Sequence, residues 1–394
     1  MRELDFSDEN LRNRWLGVNR IWAAIQGEVL GVVKRKVERI LCAEVTTQVG
    51  CGHYERNGKR TAYRNGSYGR DLLTTYGWIS NLRVPRVRTG RVSFSLFERY
   101  RRRQGLVDRV LLETFLLGCA TRKTRRVCRR VFGAEISPQA ISNLVAELDD
   151  EVAAFHRRPV TGAWRVVYLD GLWLTLRTPV KVKKVLLVAL GVDENNTTEL
   201  LGFQLVSSES EACWWGFLAD LKARGLSGSS LEVIVSDGGA GLVKAVTALF
   251  PRVKHQRCTF HKAMDVGTHL THRGHRSRII ADALNVFAGT TQREVRERIR
   301  AFADRWSASE PRAVRNFLKG IEDCLMYLEY PDPWRTKVKT NNPLERYLEE
   351  LRRRTIPMRA FANMKSAERI IYGIIAYVLN NDPEMPKTQF TQRA

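Results

Sequence analysis

The sequence predicts an α/β core that carries an all-helical insertion and is preceded by helical and helix-turn-helix segments. Three observations predict it. After Pro159, apolar β-rich runs alternate with helical ones, the pattern of an α/β sheet. From His261 to about Tyr327 the periodicity is helical throughout and the composition strongly charged. Ahead of Pro159 lie a long helical pattern, a hairpin and two short helices in markedly basic sequence.

The 394 residues are too many for one ordinary domain. Five segments are expected: 1–60 helical, 61–160 basic with hairpin and helix-turn-helix, 161–258 core, 259–335 helical insertion, 336–394 core and terminal helices. A 44% hydrophobic fraction is enough to fill a real core. Lys and Arg total 65 against 42 for Asp and Glu, a net charge of +23. Such an excess calls for a polyanionic partner, nucleic acid first and an anionic membrane surface a distant second. The run Ile370 to Leu379 is too short for a spanning helix, which needs about 20 apolar residues. The opening MRELDFSDEN lacks a signal peptide's apolar stretch. Seven scattered cysteines without a CxxC pair fit a reduced, cytoplasmic chain.

In chain order, Leu11, Trp15, Val18, Ile21, Trp22 and Ile25 carry helical spacing. GCGHYERNGKRTAYRNGSYGRD then reads as a basic loop, and Leu72 to Val87 as a hairpin turning near Gly77 and Trp78. Between Arg83 and Arg130 there are fifteen Lys or Arg residues against three acids. Within that stretch TRKTRRVCRRVF is a basic helix ending at Gly133; SPQAISNLVAELDDEVAAF begins another, capped by Ser137 with Pro138 first. Two helices joined by a short Gly-containing turn outline a helix-turn-helix. A solvated helical hairpin would look the same, but the charge asymmetry favours double-stranded DNA through Arg83, Arg86, Arg122, Lys123, Arg125, Arg126, Arg129 and Arg130. Strands are expected at Trp164–Leu176, Val185–Val192, Glu199–Val206 and Leu231–Ser236. Helices follow at ACWWGFLADLKARG, at Gly241 to Phe250, and near 343–354 and 365–380.

Three carboxylates stand out. Asp170 interrupts the apolar strand VVYLDGLWL, a costly place unless it is paired or bound to a cation. Asp237 follows the strand LEVIVS, where α/β proteins gather functional groups; with Gly238 and Gly239 behind it, it also suits a turn. Glu345 lies in TNNPLERYLEELRRR, where Asn342 as cap, Pro343 and Glu345 make a capping box, and Glu349 one turn on is an equal alternative. Two Asp and a Glu are the hard oxygen ligands that hold Mg²⁺, or Mn²⁺ in its place, for phosphodiester chemistry. Such a set is the arrangement of ribonuclease-H-like nucleases. Arg346, Arg352, Arg353 and Arg354 nearby would position phosphates. Cys258 and His261 form half a zinc site, which Cys51 and His53 could complete; simple packing at the site's edge is the plainer reading. Trp306 and Trp334 flank the insertion and could stack on bases, although a helical Trp is more often core.

The ordered fragments YRNGSYGRDLLTTYGWISNLRVPRVR, LFERYRRR, TRKTRRV, SPQAISNLVAELDDEV, VVYLDGLWL, VLLVALGVDE, LLGFQLVSSESEACWWGFLADLKARGL, VIVSDGGAGL, HQRCTFH and TNNPLERYLEELRRRT resemble the Mutator-type transposases of bacterial insertion sequences. The resemblance implies a ribonuclease-H-like core with an Asp-Asp-Glu triad at Asp170, Asp237 and Glu345, preferring Glu345 to Glu349 through the pattern Asn-x-x-Glu-Arg. It places Cys258 and His261 near the centre. It further implies a homodimer that binds the element's terminal inverted repeats and performs metal-dependent strand cleavage and strand transfer. One departure is Gly238-Gly239, where many relatives carry Ala-His. A nuclease without strand transfer and a non-catalytic DNA-binding regulator are the alternatives.

Overall fold

The computed structural model describes residues 9–55, 58–96 and 102–381. The side chains of Leu11, Trp15 and Val18, and residues 97–101 of LFERYRRR, lie outside the described part. The chain divides into two compact units, the first taking the described residues up to Phe115 with Cys119–Leu144, the second Leu116–Gly118 with those from Val145 on.

The first unit opens with α1 (Glu9–Val49) and the antiparallel hairpin β1 (Arg64–Thr74) and β2 (Gly77–Val87). Leu41 of α1 closes over Leu72, Ile79, Leu82 and Val84, all buried. The hairpin begins at Arg64, eight residues before the expected Leu72. The missed residues are mostly exposed and the pairing shifts register twice, so no period-2 hydrophobic signal exists there to read. Three helices follow: α2 (Gly105–Leu116), α3 (Thr121–Phe132) and α4 (Pro138–Ala146). Helix α3 buries only Thr124, Cys128 and Phe132, one residue per turn, and leaves its cations outside. It stops at Gly133, whose φ of 67° suits the left-handed cap glycine provides. Ser137 caps α4, its Oγ accepting from the Ala140 N–H at 3.1 Å.

The run after Ser137 is two helices, not one: α5 (Asp149–Arg157) starts afresh beyond Leu148. Asp149, Asp150 and Glu151 in its first turn favour a new helix N-terminus there.

In the second unit a five-stranded sheet has the order β5-β4-β3-β6-β7, with β3 (Trp164–Thr178), β4 (Val180–Asp193), β5 (Thr198–Val206), β6 (Val233–Ser236) and β7 (Lys254–Arg257). The β3-β4 and β4-β5 pairs are antiparallel; β3-β6 and β6-β7 are parallel. Helices α6 (Glu211–Ala223) and α7 (Ala240–Leu249) cover one face, packing Trp214, Phe217, Leu221 and Val246 on Val167, Leu169 and Ile234. Residues after β7 form α8 (Thr259–Val266), α9 (Arg276–Val286), α10 (Gln292–Trp306), α11 (Pro311–Leu318) and α12 (Trp334–Lys339), and α8 to α11 share a separate apolar core. Then α13 (Asn342–Thr355) packs against β3, and α14 (Met364–Gly373) follows.

Candidate active site

The sheet's register aligns the site. Tyr168 of β3 pairs with Val235 of β6, and Val235 with Gln256 of β7. Asp237 and Cys258 directly follow the paired Ser236 and Arg257, and Asp170 lies two residues past Tyr168 on β3, so all three leave the same end of these parallel strands. Neighbouring strands lie about 4.8 Å apart, so side chains at that end are neighbours although they come from distant sequence. Asp237 ends its strand in a tight turn, its Oδ1 accepting from the Gly239 N–H at 2.9 Å. Gly238 follows in this turn with a φ of 83°, and a Cβ there would come within 2.6 Å of the Arg257 side chain, so glycine suits the position.

Helix α13 delivers Glu345 to this edge. No capping box forms: the cap is Asn341, without a side-chain cap bond, and the Glu345 carboxylate turns elsewhere. Its Oε1 lies 3.0 Å from Nε2 of His261 on α8. Glu349, by contrast, is exposed. Cys258 and then Glu345 hold the His261 imidazolium up to about 11, against the opposing effect of burial. The Nδ1 atom of His261 is buried without a hydrogen-bond partner. One potential ligand atom from each of Cys258, His261 and Glu345 lies within 4.8 Å of the others, and among the described residues Cys51 and His53 join no such grouping.

Asn341, which the sequence reading passed over in favour of Asn342, is fully buried and touches several parts of the site. Its amide Nδ2 donates to Asp170 Oδ2 and to the Leu169 carbonyl, both at 3.3 Å. Its backbone N–H donates to Cys258 Sγ at 3.3 Å, and its carbonyl accepts from the Glu345 N–H at 3.0 Å. Burial pushes the Asp170 carboxyl up to about 6; the Gly171 N–H pulls against that, while Asp237 and Glu345 add to the rise. Glu209, just ahead of α6, is a further acid nearby, raised by burial and then by Asp237. Nothing in the run SSES distinguished it from a solvated loop.

The other candidates fall in several places. Arg83 and Arg86 are exposed on β2, Arg86 lying 4.5 Å over the Tyr68 ring. All six α3 cations are exposed, but Arg125 and Arg129 are paired with Glu135. Arg346 and Arg352 are exposed, as is Arg353, which pairs with Glu350 at 2.8 Å. Trp306 is not available for stacking. It is 5% exposed, packs in the core of the helical segment, and donates from Nε1 to Asp282 at 2.9 Å. Trp334 is half-buried under Arg165 and Lys337.

The sequence profile described as "Transposase, Mutator family" matches residues 15–382. The chain belongs to the Mutator family of transposases. Its curated relatives include the transposase of insertion sequence element ISRM5 from Rhizobium meliloti, 32% identical over 87% of this chain and 85% of that one. The transposase of IS406 from Burkholderia multivorans is 30% identical over 89% of each. That of IS256 in transposon Tn4001 from Staphylococcus aureus is 30% identical over 84% of each. Among solved structures, the catalytic domain of Mos1 mariner transposase is matched over 48% of this chain and 92% of its own, at 12% identity and a TM-score of 0.19, too slight a likeness to carry an argument. The protein is a DNA transposase, an enzyme that acts on DNA. No helix among its described residues is long and apolar enough to cross a membrane.

The residues gathered at this transposase's sheet edge fit a divalent cation. Asp170, Asp237 and Glu345 offer hard oxygen donors, and burial first, with smaller contributions from Asp237 and Glu345, raises Asp170, a cost that a bound cation relieves.

Proposed function

We propose that this transposase binds the terminal inverted repeats of its element and catalyses metal-dependent strand cleavage and strand transfer at Asp170, Asp237 and Glu345. The single observation that supports it is the meeting of these carboxylates at one sheet edge, strong enough for Asp237 and Glu345 to perturb Asp170. The sheet order, with three antiparallel strands followed by two parallel ones, supports a ribonuclease-H-like core, with the helices between β7 and α13 as its insertion. Mg²⁺, or Mn²⁺ in its place, would be held by the three carboxylates and would supply the positive charge that makes an attacking oxygen nucleophilic and a leaving oxygen stable.

The chain's own residues prepare that chemistry. Asn341 fixes the Asp170 carboxylate through Nδ2, and His261 fixes Glu345 through Nε2. Helices α3 and α4 form the helix-turn-helix, with α3's outer cations on DNA phosphates. A homodimer would hold two element ends together. Free cysteines suit a reducing, cytoplasmic setting with access to the nucleoid.

The test is joining of a labelled, pre-nicked element end to a plasmid target in Mg²⁺ or EDTA. Joined product in Mg²⁺, absent in EDTA and in Glu345→Gln but retained in Glu349→Gln, is the expected result. Cleavage without joining would point to a nuclease, and DNA binding without either to a regulator.

A further inference from the structure

Strands β3 and β4 run well past the rest of the sheet. β5 accompanies β4 only as far as Val185, and β6 pairs with β3 only over Val166–Tyr168. Residues 174–178 and 180–184 therefore stand as a two-stranded ribbon with Pro179 alone between them. Strand alternation gives the ribbon two unlike faces. Leu172, Leu174 and Leu176 are buried on one, where Phe361 bridges to Leu176. The other carries Trp173 opposite Val185, Thr175 opposite Lys183, and Arg177 opposite Lys181.

This second face has no structural need for its composition. Trp173 is 53% exposed, a large apolar area to leave in water. Arg177, Lys181 and Lys183 are exposed, and none has an acidic partner among the described residues. Arg177 and Lys181 directly face each other across the strands, a like-charge pair that destabilises a hairpin until a polyanion neutralises it. The ribbon also begins at the site. Trp173, three residues beyond Asp170, leaves the opposite face of β3 from Asp170 and reaches the site's edge through Glu209, whose carboxylate pKa burial and then Asp237 raise and a hydrogen bond from Trp173 lowers. That carboxylate occupies the space over Gly171, where a Cβ would meet Glu209 Oε1 at 2.8 Å.

We propose that the Trp173–Arg177–Lys181–Lys183 face is a binding surface for the DNA strand adjoining the carboxylates, Trp173 stacking on a base and the three cations on phosphates; this rests on the transposase reading above. The dimensions agree. A strand advances about 3.3 Å per residue and one DNA strand about 3.4 Å per nucleotide, so Gly171 to Arg177 spans about 20 Å, or about six nucleotides. Alternate residues of the face then recur every two nucleotides. An aromatic platform beside unpaired cations is the pairing that nucleic-acid strands select, the ring for bases and the charges for backbone.

The experiment is equilibrium binding of a fluorescent element-end duplex with a short unpaired tail, in EDTA so that no chemistry occurs, over a series of salt concentrations. The triple variant Arg177→Ala, Lys181→Ala, Lys183→Ala should flatten the log–log salt slope by roughly 2 to 3, at about 0.9 per lost phosphate contact. Trp173→Ala should weaken binding of the tailed end at least about five-fold, and Trp173→Phe should restore most of it. If the wild-type chain binds but the triple variant keeps its slope, this inference alone fails, and the cations merely keep the ribbon from pairing edge-on with another. If the wild-type chain does not bind the end, the transposase reading at this site fails and takes the inference with it.

Discussion

Nε2 of His261 lies 3.0 Å from Oε1 of Glu345, joining helix α8 to helix α13 at the edge of the sheet. A carboxylate held from outside in this way keeps its orientation when a cation or a phosphate arrives. Replacing His261 by Ala should therefore reduce strand joining about 10- to 100-fold, the usual effect of removing a group that orients a metal ligand. Affinity for the DNA end should stay within about two-fold. Joining assays in Mg²⁺ beside anisotropy in EDTA check this, and undiminished joining would mean that α13 alone sets Glu345.

Asn341 supports the other side of the site. Asn341→Ala removes the Nδ2 bond to Asp170 and leaves a buried cavity, at a cost of about 1–3 kcal/mol in stability. Asn341→Asp places a further carboxylate against Asp170, so it should weaken joining more than Ala does at pH 7. The gap should narrow as the pH falls and a proton is shared. A pH series on both variants reads this directly.

On α3 the structure divides cations that look equivalent in sequence. Arg125 and Arg129 are committed to Glu135, whereas Arg122, Lys123, Arg126 and Arg130 have no such partner among the described residues. Changing the latter four to Ala should flatten the salt dependence of end binding by about 3 to 4, at roughly 0.9 per contact. Glu135→Gln should instead tighten binding by freeing two arginines. Equal effects from paired and unpaired cations would show that the Glu135 pairs do not persist in solution.

His156 sets a pH dependence of stability. Burial first, and then the neighbouring Arg224, lower its pKa below the usual histidine value. The folded state resists a proton that the unfolded chain takes up near pH 6.5, so stability should fall as the pH drops below about 6.5. Urea unfolding at pH 7.5 and 5.5 should show a smaller difference in His156→Phe, whose ring can occupy the place between Phe155 and Phe203.

Trp306 belongs to the folding of the helical segment. Trp306→Ala should cost about 3–5 kcal/mol, as large core truncations do. DNA affinity, measured below the variant's unfolding temperature, should be unchanged.

How much of this was legible beforehand depended on which signals were local. The strands around Asp170 and Asp237 were visible because their runs are apolar, and the start of α4 announces itself through Ser137 and Pro138. Arg64 to Asp71 escaped because a strand exposed on both faces has no hydrophobic period. The contact between His261 and Glu345 escaped because it spans 84 residues, and Glu345 seemed already employed as a helix cap. Trp306, a stacking candidate by its charged neighbours, is core, while Trp173 in an apolar run is exposed, for a related reason. Charged neighbours in sequence say little about exposure, which is decided by where the helix faces and how far the strand outruns its sheet.

Helix α8 turns consecutive residues in different directions. His261 addresses Glu345, while the next residue, Lys262, is 1% exposed and donates from Nζ to the carbonyls of Asn316 and Lys319 at the end of α11. Burial lowers that ammonium's pKa to about 8, and its acceptors lie wholly within the helical segment. Within the segment α8 and α11 are therefore tied together: removing α11 alone would leave a buried ammonium without its acceptors one residue from the histidine that contacts Glu345, so this part of the chain can be resized only where the two carbonyls that anchor Lys262 are kept.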